Sequence, residues 1–291
     1  MPTIIDGTNG VILSGSTSGT VTIQAPAVAG SPTITMPTTT GQALVSGTSL
    51  VLPQGRLTLV TATPVMTSNQ TGKTTLYYTP YRGATIPIYD GSKWTHMVFS
   101  ELSNITTNSS TGNAGPAAVT TNSNYDLFVW NNSGTLTLTR GPAWSSDTSR
   151  GTGAGTTQLT MVNGIWTNTV AITNGPGAGL GTYVGTVRSD GSSQLNWNFA
   201  PSAAAGGAEA KLHVFNAYNR VFTYGISQDS TGSWSYGTAT WRSLNNSTSN
   251  RVSYIDGLAD LTVIVSLQGG VNQNSGGLYH FGVNKIGSAH V

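Results

Sequence analysis

Tyr125-Asp-Leu-Phe-Val-Trp and Thr135-Leu-Thr-Leu-Thr are the two stretches that decide the fold class of this chain. Aromatic, aliphatic and β-branched side chains fill them, and such residues suit the pleated, half-buried surface of a sheet. Similar short stretches recur along the chain, separated by Gly, Pro, Asn, Asp and Ser. The sequence therefore predicts an all-β protein.

The composition favours the same fold class. The 291 residues include 37 Gly and 12 Pro, which interrupt every long window, whereas the helix formers Lys, Glu and Arg are scarce. Charged residues make up 8% of the chain, against about 25% in an ordinary soluble domain. The polar surface must therefore consist mainly of Ser, Thr, Asn and Gly.

Charge and hydropathy argue against two classes of function. The twelve Lys and Arg residues stand singly between Arg56 and Lys285, so no basic run can neutralise successive phosphates, and we expect no nucleic-acid partner. No apolar stretch approaches the ~20 residues of a membrane span, so we expect no membrane insertion. The start, Met1-Pro-Thr-Ile-Ile-Asp, lacks the features of a signal peptide, and the absence of Cys favours assembly in a reducing cytoplasm.

Residues 1–50 are predicted to form an N-terminal trimerisation stem. Short apolar-alternating stretches begin at Val11, Val21, Thr33 and Ala43, and the block contains no aromatic residue, so it cannot close a core of its own. Such strands become stable when several chains wrap on one another. We therefore expect a homotrimeric stem, and the alternative is a disordered arm.

Three further segments are predicted: a small β-domain at 51–104, a β-domain at 105–200, and a C-terminal β-sandwich tip domain at 208–291. The small-residue run 201–207 reads as a linker between the last two. The predicted strands are 57–62, 74–79, 86–89, 94–99, 125–130, 135–139, 157–162, 166–170, 181–187, 194–199, 211–216, 220–226, 238–242, 251–255, 261–267 and 278–283.

Many short strands at regular spacing predict β-sandwich or jelly-roll-like domains. Residues 261–267 are nearly all apolar, which is typical of a central strand covered on both faces. Asp90-Gly91 predicts a type I′ hairpin turn, Asp190-Gly191 predicts another hairpin turn, and Asn69-Gln-Thr-Gly predicts a turn between strands.

The acidic residues and His offer no recognisable catalytic or metal site. Asp90, Asp190 and Asp256 each precede Gly, which a role in turns explains. No two of the four His have metal-ligand spacing, and no Gly-x-Ser-x-Gly elbow precedes a helix. We therefore expect no enzyme activity, no bound metal and no cofactor.

Aromatic residues carry the binding prediction. The chain has seven Trp and eleven Tyr, whose rings can stack on the CH-rich face of a sugar while neighbouring amides and hydroxyls bond its OH groups. Most Trp are expected to fill cores. The loop that begins at Gln228 is the sharpest exception, and the predicted receptor or glycan site comprises Gln228, Asp229, Trp234, Tyr236 and Trp241.

Residues 19–45, which run from Gly19-Thr-Val-Thr-Ile-Gln to Gly41-Gln-Ala-Leu-Val, resemble the stem repeats of bacteriophage tail fibre and related virion proteins. Residues 182–192, and residues 76–81 with 89–94, are similar to segments common in phage structural proteins. The resemblance implies a homotrimeric virion appendage that is assembled in the bacterial host cytoplasm. It would attach to other virion proteins through residues 1–50 and contact a host surface glycan or protein with its distal β-domains.

Two other functions remain open at the level of the sequence. One is a purely structural virion component without a receptor, such as a head fibre, a capsid decoration or a baseplate connector. The other is a glycan depolymerase, which the scatter of the ten carboxylates disfavours.

Overall fold

The computed structural model describes residues 11–14, 20–23, 51–108, 112–235, 237–238, 240 and 242–266. The chain divides into two units, Met1–Leu44 and Val45–Val291. In the first unit, β1 (Val11–Ser14) and β2 (Thr20–Ile23) pair antiparallel. The strands predicted near Val11 and Val21 are therefore confirmed, whereas those near Thr33 and Ala43 lie outside the described residues.

The described part of the second unit confirms the all-β prediction, since its one helix is a short 3-10 turn at Leu244–Asn246. In this part no helix has the length and apolar character needed to cross a membrane. The strands are β3 (Gly55–Thr58), β4 (Gln70–Lys73), β5 (Thr75–Pro80), β6 (Thr85–Tyr89), β7 (Trp94–Val98), β8 (Leu102–Ile105), β9 (Asn124–Asn132), β10 (Thr135–Ala143), β11 (Leu159–Val162), β12 (Ile165–Asn168), β13 (Thr182–Arg188), β14 (Leu195–Asn198), β15 (Ala210–Leu212), β16 (Val214–Asn216) and β17 (Val252–Tyr254).

The largest sheet has six strands in the order β10-β9-β13-β12-β11, and β16 also pairs with β13. Two of its connections are two-residue turns. In Ser133-Gly134 the φ angles are 51° and 96°, and in Asn163-Gly164 they are 49° and 86°. Positive φ at both positions is the geometry of a type I′ turn, which matches the twist of the flanking strands. These two turns fix the register of β9 with β10 and of β11 with β12.

The predicted type I′ turn at Asp90-Gly91 is wrong, although β6 and β7 do form a hairpin. Tyr89 pairs with Trp94, which leaves a longer loop, and within the predicted pair only Gly91 has a positive φ, 100°. Asp90 Oδ1 instead accepts hydrogen bonds from the backbone N–H groups of Ser92 and Lys93, at 2.8 and 2.9 Å. These bonds hold the pKa of Asp90 down at about 2.

The sheets of the second unit join strands from all three predicted segments beyond residue 50. A four-stranded sheet has the order β17-β15-β14-β4, with β15 and β17 parallel. Its strand β4 comes from segment 51–104, β14 from 105–200, and β15 and β17 from 208–291. A three-stranded sheet, β3-β5-β8, and the hairpin β6-β7 complete the set. The division into separate domains stays a prediction, but these segments hydrogen bond to one another within a single unit.

The six-stranded sheet packs against an apolar cluster on each of its two faces. Successive side chains of a strand point to opposite faces of the sheet, so one strand can contribute to both clusters. In β9, Leu127 and Val129 belong to one buried apolar cluster and Phe128 belongs to the other. In β13, Val184 belongs to the first cluster and Tyr183 to the second. The central strands covered on both faces are therefore β9 and β13. The clusters are completed chiefly by Leu57, Leu76, Tyr78, Ile86, Leu195 and Trp197 in the first, and by Trp144, Leu159, Phe215 and Ile255 in the second.

Two strands predicted in the C-terminal segment are wrong. Residues 220–226 carry no strand pairing, and neither do residues 261–266 of the predicted strand 261–267, whose last residue lies outside the described residues. Most of their apolar side chains are exposed, by 91% at Phe222 and 86% at Ile264. The predicted strand 238–242 shows no pairing at its described residues. The strand predicted at 278–283 lies outside the described residues. Two strands were not predicted: β8, and β4, which occupies most of the predicted turn at Asn69-Gln-Thr-Gly.

Candidate functional site

The predicted binding loop is organised by the carboxylate of Asp229. Oδ1 accepts hydrogen bonds from the backbone N–H groups of Gly206 at 3.0 Å and Thr231 at 2.8 Å. Oδ2 accepts from the side-chain amides of Asn245 and Asn250, both at 3.1 Å. The bonds from Thr231, and then those from the two amides, lower the pKa of Asp229 well below its usual range. The carboxylate thus ties the predicted linker to the loop and uses most of its acceptor capacity inside the protein.

Two other residues of the predicted site are exposed. Trp234 keeps 45% of its surface open, and the guanidinium carbon of Arg242 lies 5.7 Å from the Trp234 ring centroid, which is a cation–π distance. Gln228 is also exposed. Tyr236 and Trp241 lie outside the described residues. A binding site at these five residues therefore stays a prediction.

A groove with a richer aromatic lining lies elsewhere in the second unit, and we call it the aromatic groove. Its volume is about 260 Å³. Two short segments line it, residues 65–67 from the β3–β4 connection and residues 221–224 after β16. Strands β3, β14 and β16 complete it, together with the residue after β14, through Arg56, Trp197, Phe199, Val214 and Asn216.

Exposed rings distinguish this groove from a second depression of about 340 Å³, whose only aromatic lining residue is Tyr77. In the aromatic groove, Phe222 is 91% exposed and Tyr224 is 52% exposed. The Tyr224 ring meets Phe199 edge-to-face, with centroids 5.3 Å apart and an interplanar angle of 81°. Trp197 is part of the first apolar cluster, and Phe199 packs against that cluster. The exposed rings of Phe222 and Tyr224 therefore line the same groove as two rings that pack in or against the first apolar cluster.

Arg56 supplies the charge of the aromatic groove. It is only 6% exposed, and its Nε donates to the carbonyl oxygen of Pro64 at 2.8 Å, while Nη1 donates to the carbonyl oxygen of Asn219. Nη2 makes no hydrogen bond to a described residue, and no described carboxylate pairs with the guanidinium. Burial lowers the pKa of Arg56. Because Pro64 and Asn219 shortly precede the two lining segments, the guanidinium lies where those segments begin.

The described carboxylates serve local structure. Asp190 and Asp256 accept backbone hydrogen bonds within turns, as Asp90 does, which confirms the turn role predicted for all three. The remaining ones, apart from Asp229, have these partners: Asp126 with Arg150, Asp147 with Arg188, Glu209 with Arg251 and Lys211, Asp260 with Arg220, and Glu101 with Thr61, Ala62 and Thr79. Within the described ranges, no three His, Asp or Glu side chains come together as metal ligands.

The aromatic groove was not predicted from the sequence because its lining comes from distant parts of the chain. Phe222 and Tyr224 fall in a predicted strand, where aromatic residues are expected to enter a core. Arg56 is one of twelve isolated basic residues. The usable signal is the alternation Val221-Phe-Thr-Tyr, but alternation does not tell which aromatic rings a neighbouring element covers.

Comparisons with known proteins give no relative from which a function could be assigned, so the proposal below rests on the geometry described above. The sequence matches no protein-family model, and the chain matches neither a curated protein nor a solved structure.

Proposed function

We propose that this chain is a bacteriophage virion fibre protein of the tail fibre type. It attaches to the particle by its N-terminal region and contacts the host cell surface with its distal β-domains. The observation that carries the proposed contact is the aromatic groove, where Phe222 and Tyr224 are exposed beside the anchored Phe199. Such rings suit the CH-rich face of a sugar, and the exposed hydroxyls of Thr67 and Thr223 offer hydrogen bonds to its OH groups.

The proposal includes a short N-terminal β stem, β-sandwich or jelly-roll-like domains, and intertwining as a homotrimer. Residues 261–266 support the oligomer, because Leu261, Val263, Ile264 and Val265 are between 38% and 86% exposed. This stretch has the composition of a buried strand, yet no described strand pairs with it. Contiguous exposed apolar surface marks an interaction site in a soluble protein, and a second copy would cover it.

The proposal assigns no catalysis, metal or cofactor to the chain and places it on the virion after assembly in the bacterial host cytoplasm. The hydrogen bonds and ion pairs of the described carboxylates support the absence of glycan cleavage. A glycosidase needs two carboxyl groups about 5–9.5 Å apart that face the substrate, one of them to protonate the leaving group. Carboxylates that are tied into turns and ion pairs are poorly placed for that work.

Antibody labelling of intact phage particles tests the proposal. We expect electron microscopy to show bound antibody at the outer ends of fibres, and we expect the antibody to block adsorption to host cells. Labelling confined to positions between other virion proteins, with adsorption unchanged, would instead support the purely structural component. Release of oligosaccharide from host capsule by the purified chain would establish the depolymerase and refute the absence of enzyme activity.

A further inference from the structure

The charge of the aromatic groove restricts the kind of sugar that fits it. We propose that the groove binds a pyranose that carries a carboxylate, such as a uronic acid residue of a surface polysaccharide. Arg56 faces the carboxylate, and Phe222 and Tyr224 contact the ring. This inference rests on the proposed function, since it names the class of sugar that the contact surface selects.

The lining of the groove contains a cation and no acidic residue. Arg56 is the only charged residue among those that line it. The carboxylate of Asp260 is engaged with Arg220, the residue directly before the lining residue Val221, and each of its oxygens accepts from Arg220 at 2.9 Å. An anion that enters the groove therefore meets attraction from Arg56 without repulsion from a lining carboxylate.

The hydrogen bonding of Arg56 leaves a donor for this anion. Its Nε and Nη1 are engaged with carbonyl oxygens, and its guanidinium carbon lies 5.4 Å from the centroid of the Tyr81 ring, but none of these contacts neutralises the charge. Nη2 makes no hydrogen bond to a described residue. A second buried guanidinium, Arg150, has the carboxylate of Asp126 at 2.6 Å. A third, Arg140, also lacks a carboxylate, but both of its terminal nitrogens are engaged and it lines neither the aromatic groove nor the second depression. Among the three buried arginines in the described part of the chain, Arg56 is the one whose unneutralised guanidinium belongs to a residue that lines the aromatic groove.

The single charge of Arg56 favours a carboxylate over a phosphate monoester. A buried charge is costly unless it is paired, so the charge of the ligand should match that of its site. A carboxylate carries one negative charge at pH 7, whereas a phosphate monoester carries about −1.5 to −2. The exposed rings add the second requirement, a flat CH-rich face, which a pyranose provides.

The test compares each acid with its own methyl ester, which keeps the ring and removes the charge. The methyl glycosides of glucuronate, galacturonate and mannuronate, and their methyl esters, are titrated against the full chain by saturation-transfer NMR. We expect at least one acid to bind about tenfold or more tightly than its ester, because a hydrogen bond to a charged group is lost. Raising the salt concentration should narrow that difference.

Variants locate the effect in the groove. Arg56→Gln should abolish the preference for the acid over the ester, whereas Tyr224→Ser should weaken the binding of the acid and the binding of the ester by a similar factor. Arg82→Gln, which changes an exposed Arg outside the groove, should alter neither. Equal affinity for acid and ester overturns the inference and leaves sugar binding in place. Failure of every uronate to bind, while the chain still adsorbs to host cells, also overturns it without touching the proposed function.

Discussion

Removing one partner of the buried ion pair between Asp126 and Arg150 should destabilise the chain far more than removing one partner of an exposed pair of the same length. Asp126 Oδ2 lies 2.6 Å from Arg150 Nε, and the two side chains are 3% and 1% exposed. Asp126 Oδ1 also accepts from Arg150 Nη2 at 3.0 Å and from the hydroxyl of Thr186 at 2.7 Å. Arg150 Nη2 donates further to the carbonyl oxygen of Gly257, at 2.7 Å. The pair therefore links β9 to the segment that follows β17.

Asp126→Ala leaves the Arg150 guanidinium buried without a counter-charge. Removing one partner of a buried pair costs about 3–5 kcal/mol in the free energy of unfolding. For a chain of this size, that corresponds to a fall in Tm on the order of 10 °C. Denaturant unfolding followed by tryptophan fluorescence should show a lower midpoint with an unchanged slope.

Asp147→Ala is the matched control. Asp147 also lies 2.6 Å from its partner Arg188, but its side chain is 70% exposed. Solvent screening limits such a pair to about 0–1 kcal/mol. If Asp126→Ala and Asp147→Ala lower the free energy of unfolding equally, burial does not determine the cost of breaking these ion pairs and the reasoning fails.

Two further predictions concern the same unit. Burial, and then the charge of Arg188, lowers the pKa of His213 in the folded chain to about 4. The folded chain therefore keeps His213 neutral above that pH, and the full contribution of this residue to the free energy of unfolding is present above the usual His pKa of about 6.5. That contribution, on the order of 3 kcal/mol, is lost as the pH falls from about 6.5 to about 4; unfolding midpoints across this range should show the loss, and His213→Gln should flatten it. Gly185→Ala should destabilise by at least about 2 kcal/mol, because a Cβ there would lie 2.1 Å from the carbonyl oxygen of Phe215. Gly153→Ala, where a Cβ meets nothing within 4 Å, should change the unfolding midpoint little, and equal effects would refute the clash.

The sequence predicts the strands between residues 125 and 199 well because local pattern and burial agree there. The six strands predicted between residues 125 and 199 all occur, as β9 to β14. Their apolar side chains meet partners from the same chain, so the pattern and the structure coincide. The two type I′ turns were missed although Asn163-Gly164 is the residue pair that this turn favours. Hairpin turns were predicted at Asp90-Gly91 and Asp190-Gly191 instead.

The C-terminal segment shows where sequence pattern stops being informative. Residues 261–266 have the composition of a central strand, but that composition says only that the stretch should be covered, not by which chain. The sequence likewise does not show whether another element covers the rings of Phe222 and Tyr224. The charge of Arg56 was visible in the sequence, but its burial, its free Nη2 and its place in a groove depend on Pro64 and Asn219, which lie 8 and 163 positions away in the chain.

Binding to an array of bacterial surface polysaccharides tests the central claim most directly. The full chain is compared with the double variant Phe222→Ser, Tyr224→Ser and with Val98→Ser, which removes another strongly exposed apolar side chain, 79% open, outside the aromatic groove. We predict that the unmodified chain and Val98→Ser bind the same polysaccharides, and that the double variant loses this binding while its unfolding midpoint stays unchanged. Undiminished binding by the folded double variant would contradict the account.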